Sequence, residues 1–175
     1  MRVYIGPLAA PLLYVSPTQI NAIAPLALLP GDWEVAVVFD GRVGTARAAV
    51  KAFSPGLFPV MRHPDGTPID RQRSARPGDW ILVYGTGFGA TTPALGAGAL
   101  APPLPVWLVS PVEARIGDLP LGRDDIYYAG LAPGFAGLYQ FNLRVPVQAP
   151  AGDLEVVVRV EEEWSQRGLK VPVTR

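Results

Sequence analysis

The segment Gln19–Phe39 repeats as Gln140–Val160 without a gap. Gln19, Asn21, Pro25, Gly31, Asp32, Glu34, Val35 and Val37 recur as Gln140, Asn142, Pro146, Gly152, Asp153, Glu155, Val156 and Val158. Upstream, Ile5-Gly6 recurs as Ile116-Gly117, and Tyr14 as Tyr128 once an insertion, Leu131–Gly137, is allowed. Downstream, Val50 aligns with Val171. A chain that carries one unit twice is read as two copies of a single supersecondary design. A linker around Phe53–Arg76 joins them.

Within each copy the apolar period is two. Tyr139, Phe141, Leu143 and Val145 share one face, with Gln140, Asn142 and Arg144 on the other. Trp33, Val35, Val37 and Phe39 alternate in the same way, as do Leu154, Val156, Val158 and Val160. This is the pattern of a half-buried antiparallel strand. The turns Pro30-Gly31-Asp32, Pro77-Gly78-Asp79 and Ala151-Gly152-Asp153 each precede such a strand. Glycine there supplies positive φ, and aspartate bonds its own backbone. Nineteen glycines and 20 prolines leave little room for helices. The expected architecture is all-β, two β-sandwich units in tandem.

The copies are unequal. The second has strands at Asp79–Tyr84 and Val106–Ser110 before its matched region; nothing before Arg2 supplies their counterparts. We therefore expect an incomplete sandwich at 1–53, a linker with a hairpin at 54–76, and a complete sandwich at 77–175. An incomplete sandwich exposes core and open edges. The acceptor face would be Ile20, Trp33, Val35 and Val37, covered by Leu57–Met61 of the linker, by the second copy, by another chain or, in a chain excised from a longer one, by strands of the upstream sequence.

Composition narrows the partners. Fifteen basic residues balance 15 acidic ones, so the chain has no electrostatic footprint for nucleic acid or an anionic membrane. Residues 90–112 are uncharged, but five prolines exclude a spanning helix, and membrane insertion is not expected. Met1–Leu13 is broken by Gly6, Pro7 and Pro11 and does not read as a signal peptide. There is no cysteine for disulfides, thiol chemistry or thiolate metal sites.

Pro77–Phe88 (PGDWILVYGTGF) resembles the opening strand of IPT/TIG-type immunoglobulin-like domains. Leu12–Asn21 and Ala129–Asn142 resemble the Solibacter-type C-terminal domain family, tandem modules at the ends of large secreted bacterial proteins. The resemblance covers nearly the whole chain. It implies immunoglobulin-like units, an extracellular or cell-surface setting and no catalytic or ligand residues to carry over.

The residues offer few sites. Gly85-Thr86-Gly87-Phe88-Gly89-Ala90 follows a strand and formally fits the dinucleotide fingerprint, but neither the helix nor the later acidic residue follows. His63, the single histidine, lies in the turn Arg62–Thr67 with no nucleophile elbow anywhere. Asp118, Asp124, Asp125 and Glu161–Glu163 lack calcium-loop spacing and read as solvated charge. Among the aromatics of the second copy, Tyr139 and Phe141 alternate inward, and Tyr14 and Tyr128 recur as core positions do. Tyr127, Phe135 and Trp164 remain as a candidate surface for a glycan or protein ligand. The expectation is a chain without catalysis, cofactor or metal, acting in adhesion, binding or spacing. The alternative is a structural subunit that self-associates by strand complementation.

Overall fold

A computed structural model describes all 175 residues, and it is all-β, with a single short 3₁₀ turn at Arg123–Asp125. The first copy holds β1 (Arg2–Ile5), β2 (Leu8–Ala10), β3 (Leu12–Val15), β4 (Ile20–Ala22), β5 (Gly31–Phe39) and β6 (Arg42–Val50). Strands β2-β1-β5-β6 form one antiparallel sheet, while β3 and β4 form a separate hairpin. Turn chemistry closes β5 onto β6: Asp40 and Gly41 both take positive φ, +49° and +73°, as a tight two-residue hairpin requires.

The second copy adds β7 (Gly56–Arg62), β8 (Trp80–Thr86), β9 (Thr91–Thr92), β10 (Trp107–Leu108), β11 (Val112–Ile116), β12 (Leu119–Pro120), β13 (Ile126–Leu131), β14 (Tyr139–Arg144), β15 (Gly152–Val160), β16 (Glu163–Trp164) and β17 (Lys170–Val173). One sheet runs β7-β8-β14-β13-β10-β9. The other runs β12-β11-β15-β16, with β17 also on β15. Their inward faces close on one cluster of 23 buried residues, in which Ile81, Val83, Phe141 and Leu143 of the first sheet meet Ala114, Ile116, Val156 and Val158 of the second. Each strand buries alternate residues because its pleat turns one face to the opposing sheet.

The repeat holds at the level of single hydrogen bonds. Val3 pairs with Val37 and Ile5 with Val35, as Ala114 pairs with Val158 and Ile116 with Val156. Gly6 N–H donates to the Glu34 carbonyl at 2.8 Å, and Gly117 N–H to the Glu155 carbonyl at 2.7 Å. The bulge between Leu12 and Tyr14 recurs between Ile126 and Tyr128. Gln19 Nε2 donates to Asn21 Oδ1 at 2.7 Å, and Gln140 Nε2 to Asn142 Oδ1 at 2.8 Å. At the C-terminal end the pairing corrects the alignment. Val50 faces Gly31 and Val173 faces Gly152, so Val173, not Val171, fills the place of Val50. The loop between β16 and β17 shifts the register there.

The linker expectation also needs correction. Leu57–Met61 does not lie along the open edge of the first copy; it is part of β7 and pairs with β8. Ile69 and Ala75, also from the expected linker, join the second core, and Ala75 bridges Val173. Residues 56–175 thus pack as one body. The first copy rests against it where Pro11 meets Gly98 and Ile23 meets Gly137, positions at which a Cβ would come within 2.7 and 3.1 Å of those side chains.

Candidate functional site

The first copy has one finished sheet and half of a second. Strand β14 has β13 on one side and β8 on the other, whereas its counterpart β4 has only β3. Strand β13 is flanked by β14 and β10, whereas its counterpart β3 has only β4. Burial follows from this. Val3, Ala10 and Pro25 are the buried apolar side chains of residues 1–53, against 23 in the second core. Of the expected acceptor face, Ile20, Trp33, Val35 and Val37 are all half-buried, and Phe39 at the end of the same row is 58% exposed. Trp33 is fixed by its Nε1–H, which donates to the Leu29 carbonyl at 2.9 Å.

The two equivalent tyrosines show what the missing strands would do. Tyr128 is 8% exposed, and its hydroxyl meets the Leu131 carbonyl at 2.7 Å and the backbone N–H and carbonyl of Val106 at 3.3 and 3.1 Å. Tyr14, expected as a core residue, is 52% exposed. Within residues 1–175 no segment covers Tyr14 as Val106 covers Tyr128. Between the copies runs a groove of about 940 Å³, lined by the first copy along Gln19–Ala24 and by Phe58, Leu95, Phe135 and Tyr139 of the second. Burial raises the Tyr139 hydroxyl above the ordinary pKa of 10.0, and that hydroxyl donates to the Gly89 carbonyl.

The aromatic candidates do not form one surface. Tyr127 lies edge-on to Trp80 at 6.0 Å on the outer face of the six-stranded sheet. Trp164 belongs to the opposite sheet, with the guanidinium groups of Arg115 and Arg159 over its ring at 5.3 and 5.4 Å. Phe135 alone lines the groove. A planar row of rings for a sugar is therefore not assembled from these three.

The remaining candidates have structural roles. In Gly85–Ala90 the chain continues into β9 rather than a helix, so no helix N-terminus faces a phosphate. Gly87 takes φ +80° against the Ser54 carbonyl, and Ser54 N–H donates to the Gly87 carbonyl at 2.9 Å. Phe88 is fully buried, 4.6 Å from the ring of Phe141. His63 Nε2 lies 3.2 Å from the Arg73 carbonyl oxygen. Nearby Asp65 is held below its ordinary pKa of 3.8 by the Thr67 N–H and hydroxyl. Asp125 accepts from Gly122 N–H at 3.2 Å, and Glu163 pairs with Lys51 at 3.3 Å. No three His, Asp or Glu side chains converge as a metal site would require.

One residue that the sequence did not single out holds β7 in place. Gln166 Oε1 accepts from Leu57 N–H at 2.8 Å while its Nε2 donates to the Leu57 carbonyl at 2.5 Å. The side-chain amide thus stands in for a neighbouring strand beside β7. Period-two reasoning cannot find this, because the contact spans more than a hundred residues. Comparison with family models, curated proteins and solved structures finds no match for this chain.

Proposed function

We propose that the chain is a non-catalytic module of two immunoglobulin-like units, working outside the cell in adhesion, binding or spacing. The second unit is the scaffold, and the first carries the binding surface. The observation behind this reading is the contrast between a closed 23-residue core and an adjoining copy with an open face and free strand edges. Exposed apolar patches and unpaired edges of this kind mark interaction surfaces. The extracellular setting rests on the resemblance to secreted tandem modules alone. The test is a screen of the purified chain against ester and glycoside substrates, run beside a glycan array. We expect no turnover. Hydrolysis that disappears in His63→Ala or Asp125→Ala overturns the reading.

A second reading, a self-associating structural subunit, draws on the same uncovered face. If donor and acceptor lay on different surfaces, the contact would be heterologous and would propagate. Light scattering separates the two: a concentration-independent monomer sinks self-assembly, and a growing polymer favours it.

A further inference from the structure

The two outer faces of the second unit carry different kinds of surface. Strands β11, β15, β16 and β17 mix acids with bases, and Arg159 on β15 pairs with Glu113 on β11 at 2.5 Å. The strands of the six-stranded sheet contain no aspartate or glutamate, and their only charged residues are Arg62 and Arg144. Both lie on the outer face. Arg62 faces Leu82 and Arg144 faces Trp80, while the alternate residues Ile81, Val83, Phe141 and Leu143 are buried. Each guanidinium is anchored on a carbonyl, Arg62 on Gly66 at 2.6 Å and Arg144 on Gly78 at 3.3 Å, and neither enters an ion pair. Amides and rings share this face. The mutual bond of Gln140 and Asn142 uses one oxygen and one N–H, which leaves Gln140 Oε1 and Asn142 Nδ2 without a partner in the chain yet open to water. Tyr84 faces Gln140, and Arg62 is near enough to oppose the rise that burial gives the Tyr84 pKa. Tyr127, 73% exposed, stands edge-on to Trp80, and Trp107, 44% exposed, stands 4.8 Å from the ring of Tyr128.

We propose that the outer face of the six-stranded sheet binds an acidic oligosaccharide, a chain of uronic acids, through the rings of Trp80 and Tyr127, the Gln140–Asn142 amide pair, and Arg62 and Arg144. This rests on the reading of the chain as a binding module and names a class of ligand. The site lies wholly on the second unit and does not draw on the open face of the first. Each part has a counterpart in such a ligand. The rings offer flat apolar surface to the C–H faces of the sugar. The free amide oxygen and N–H match adjacent hydroxyls, one as acceptor and one as donor. Guanidinium groups take carboxylates in charge-assisted, forked hydrogen bonds. Strands β8 and β14 are paired on both edges, so no extended segment enters here by main-chain addition, and recognition falls to side chains. Single-stranded nucleic acid suits the face less well, because its backbone is held by a track of cations and the strands supply two.

The test titrates the full 175-residue chain with tetragalacturonate, its methyl ester, tetraglutamate and octathymidylate, read by calorimetry and tryptophan fluorescence. We expect tetragalacturonate to saturate with a Kd below about 1 mM, and the other three to bind at least about tenfold more weakly. The ester keeps the hydroxyls and ring faces but loses the charge, so it tests the arginines without altering the chain. Arg144→Gln should weaken tetragalacturonate at least about fivefold and narrow its lead over the ester. Tyr127→Ala, which removes a ring already mostly in water, should weaken both sugars at least about fivefold. No saturation by about 10 mM, an ester that binds as tightly as the acid, or unchanged affinity in both variants overturns the proposal. Equal binding of tetraglutamate overturns it in favour of an acidic polypeptide, and equal binding of octathymidylate in favour of nucleic acid. Failure here leaves the binding-module reading standing, because that reading falls only to catalytic turnover.

Discussion

Ile20 and Phe141 hold the same position of the repeat in different surroundings, which makes them a controlled pair. Phe141 is fully buried against Phe88, so Phe141→Ala should destabilise by about 3–5 kcal/mol through lost burial and a cavity. Ile20 is half in water already, and Ile20→Ala should cost about 1 kcal/mol or less. Gln140→Ala, on the outward parity, should likewise cost little. Denaturant melts that rank Gln140→Ala or Ile20→Ala above Phe141→Ala would contradict the register. Buried hydroxyls give a second residue-scale prediction. Burial raises the pKa of Tyr139 and, offset partly by the Val106 backbone, that of Tyr128. The folded chain therefore holds these protons more tightly than the unfolded chain, whose tyrosines titrate near 10.0. Their contribution is complete below that value and is lost as pH rises through the raised values. Denaturation midpoints should fall as pH rises above about 10, and Tyr139→Phe should flatten the fall. A profile unchanged by that substitution would remove Tyr139 from the account. Inward parity at Phe141 was legible because alternation is local. The exposure of Tyr14 was not, because it depends on whether a distant strand covers the ring.

At the scale of elements, β7 is the instructive case. Its residues were legible as an apolar run, yet the run does not say which unit it joins. It pairs with β8, where Met61 and Leu57 enter the second core, and so the first copy keeps its open edge. Its register is broken between Leu57 and Met61, a stretch that contains Pro59, which cannot donate a ladder hydrogen bond. Gln166 compensates by bonding both backbone groups of Leu57. Gln166→Ala leaves these part-buried groups without that partner and should cost about 1–3 kcal/mol. Amide exchange at Leu57 should accelerate while β14 stays protected. Equal acceleration at Phe141 would mean that the substitution acts globally and that β7 is not a local unit. The edge of the first copy's sheet is protected differently: strand β6 carries Arg42 and Arg47 along an exposed ribbon, and charges of this kind discourage edge-to-edge pairing.

Across the whole molecule, the fold class and the two copies were legible from self-comparison, because the repeat preserves pairings as well as residue types. How much each copy can bury was only half legible, since missing strands are visible in a sequence but the surface left uncovered is not. That asymmetry has a thermodynamic consequence. The second unit closes 23 residues into one core, while residues 1–53 bury only Val3, Ala10 and Pro25 among apolar side chains. A segment of that size is marginal even with a complete core, because too little of its surface leaves water. It gains support where Pro11, Ile23 and Phe53 rest on Gly98, Gly137 and Gly89, and from the exposed Lys51–Glu163 pair, which adds little. Unfolding should therefore be uncoupled: calorimetry should resolve a small transition at least about 10 °C below the main one. Exchange at the lower temperature should release β1 to β6 while β8, β14 and β15 remain protected. A single cooperative transition, with amides of both copies exchanging together, would show instead that the contact between the copies couples them into one folding unit.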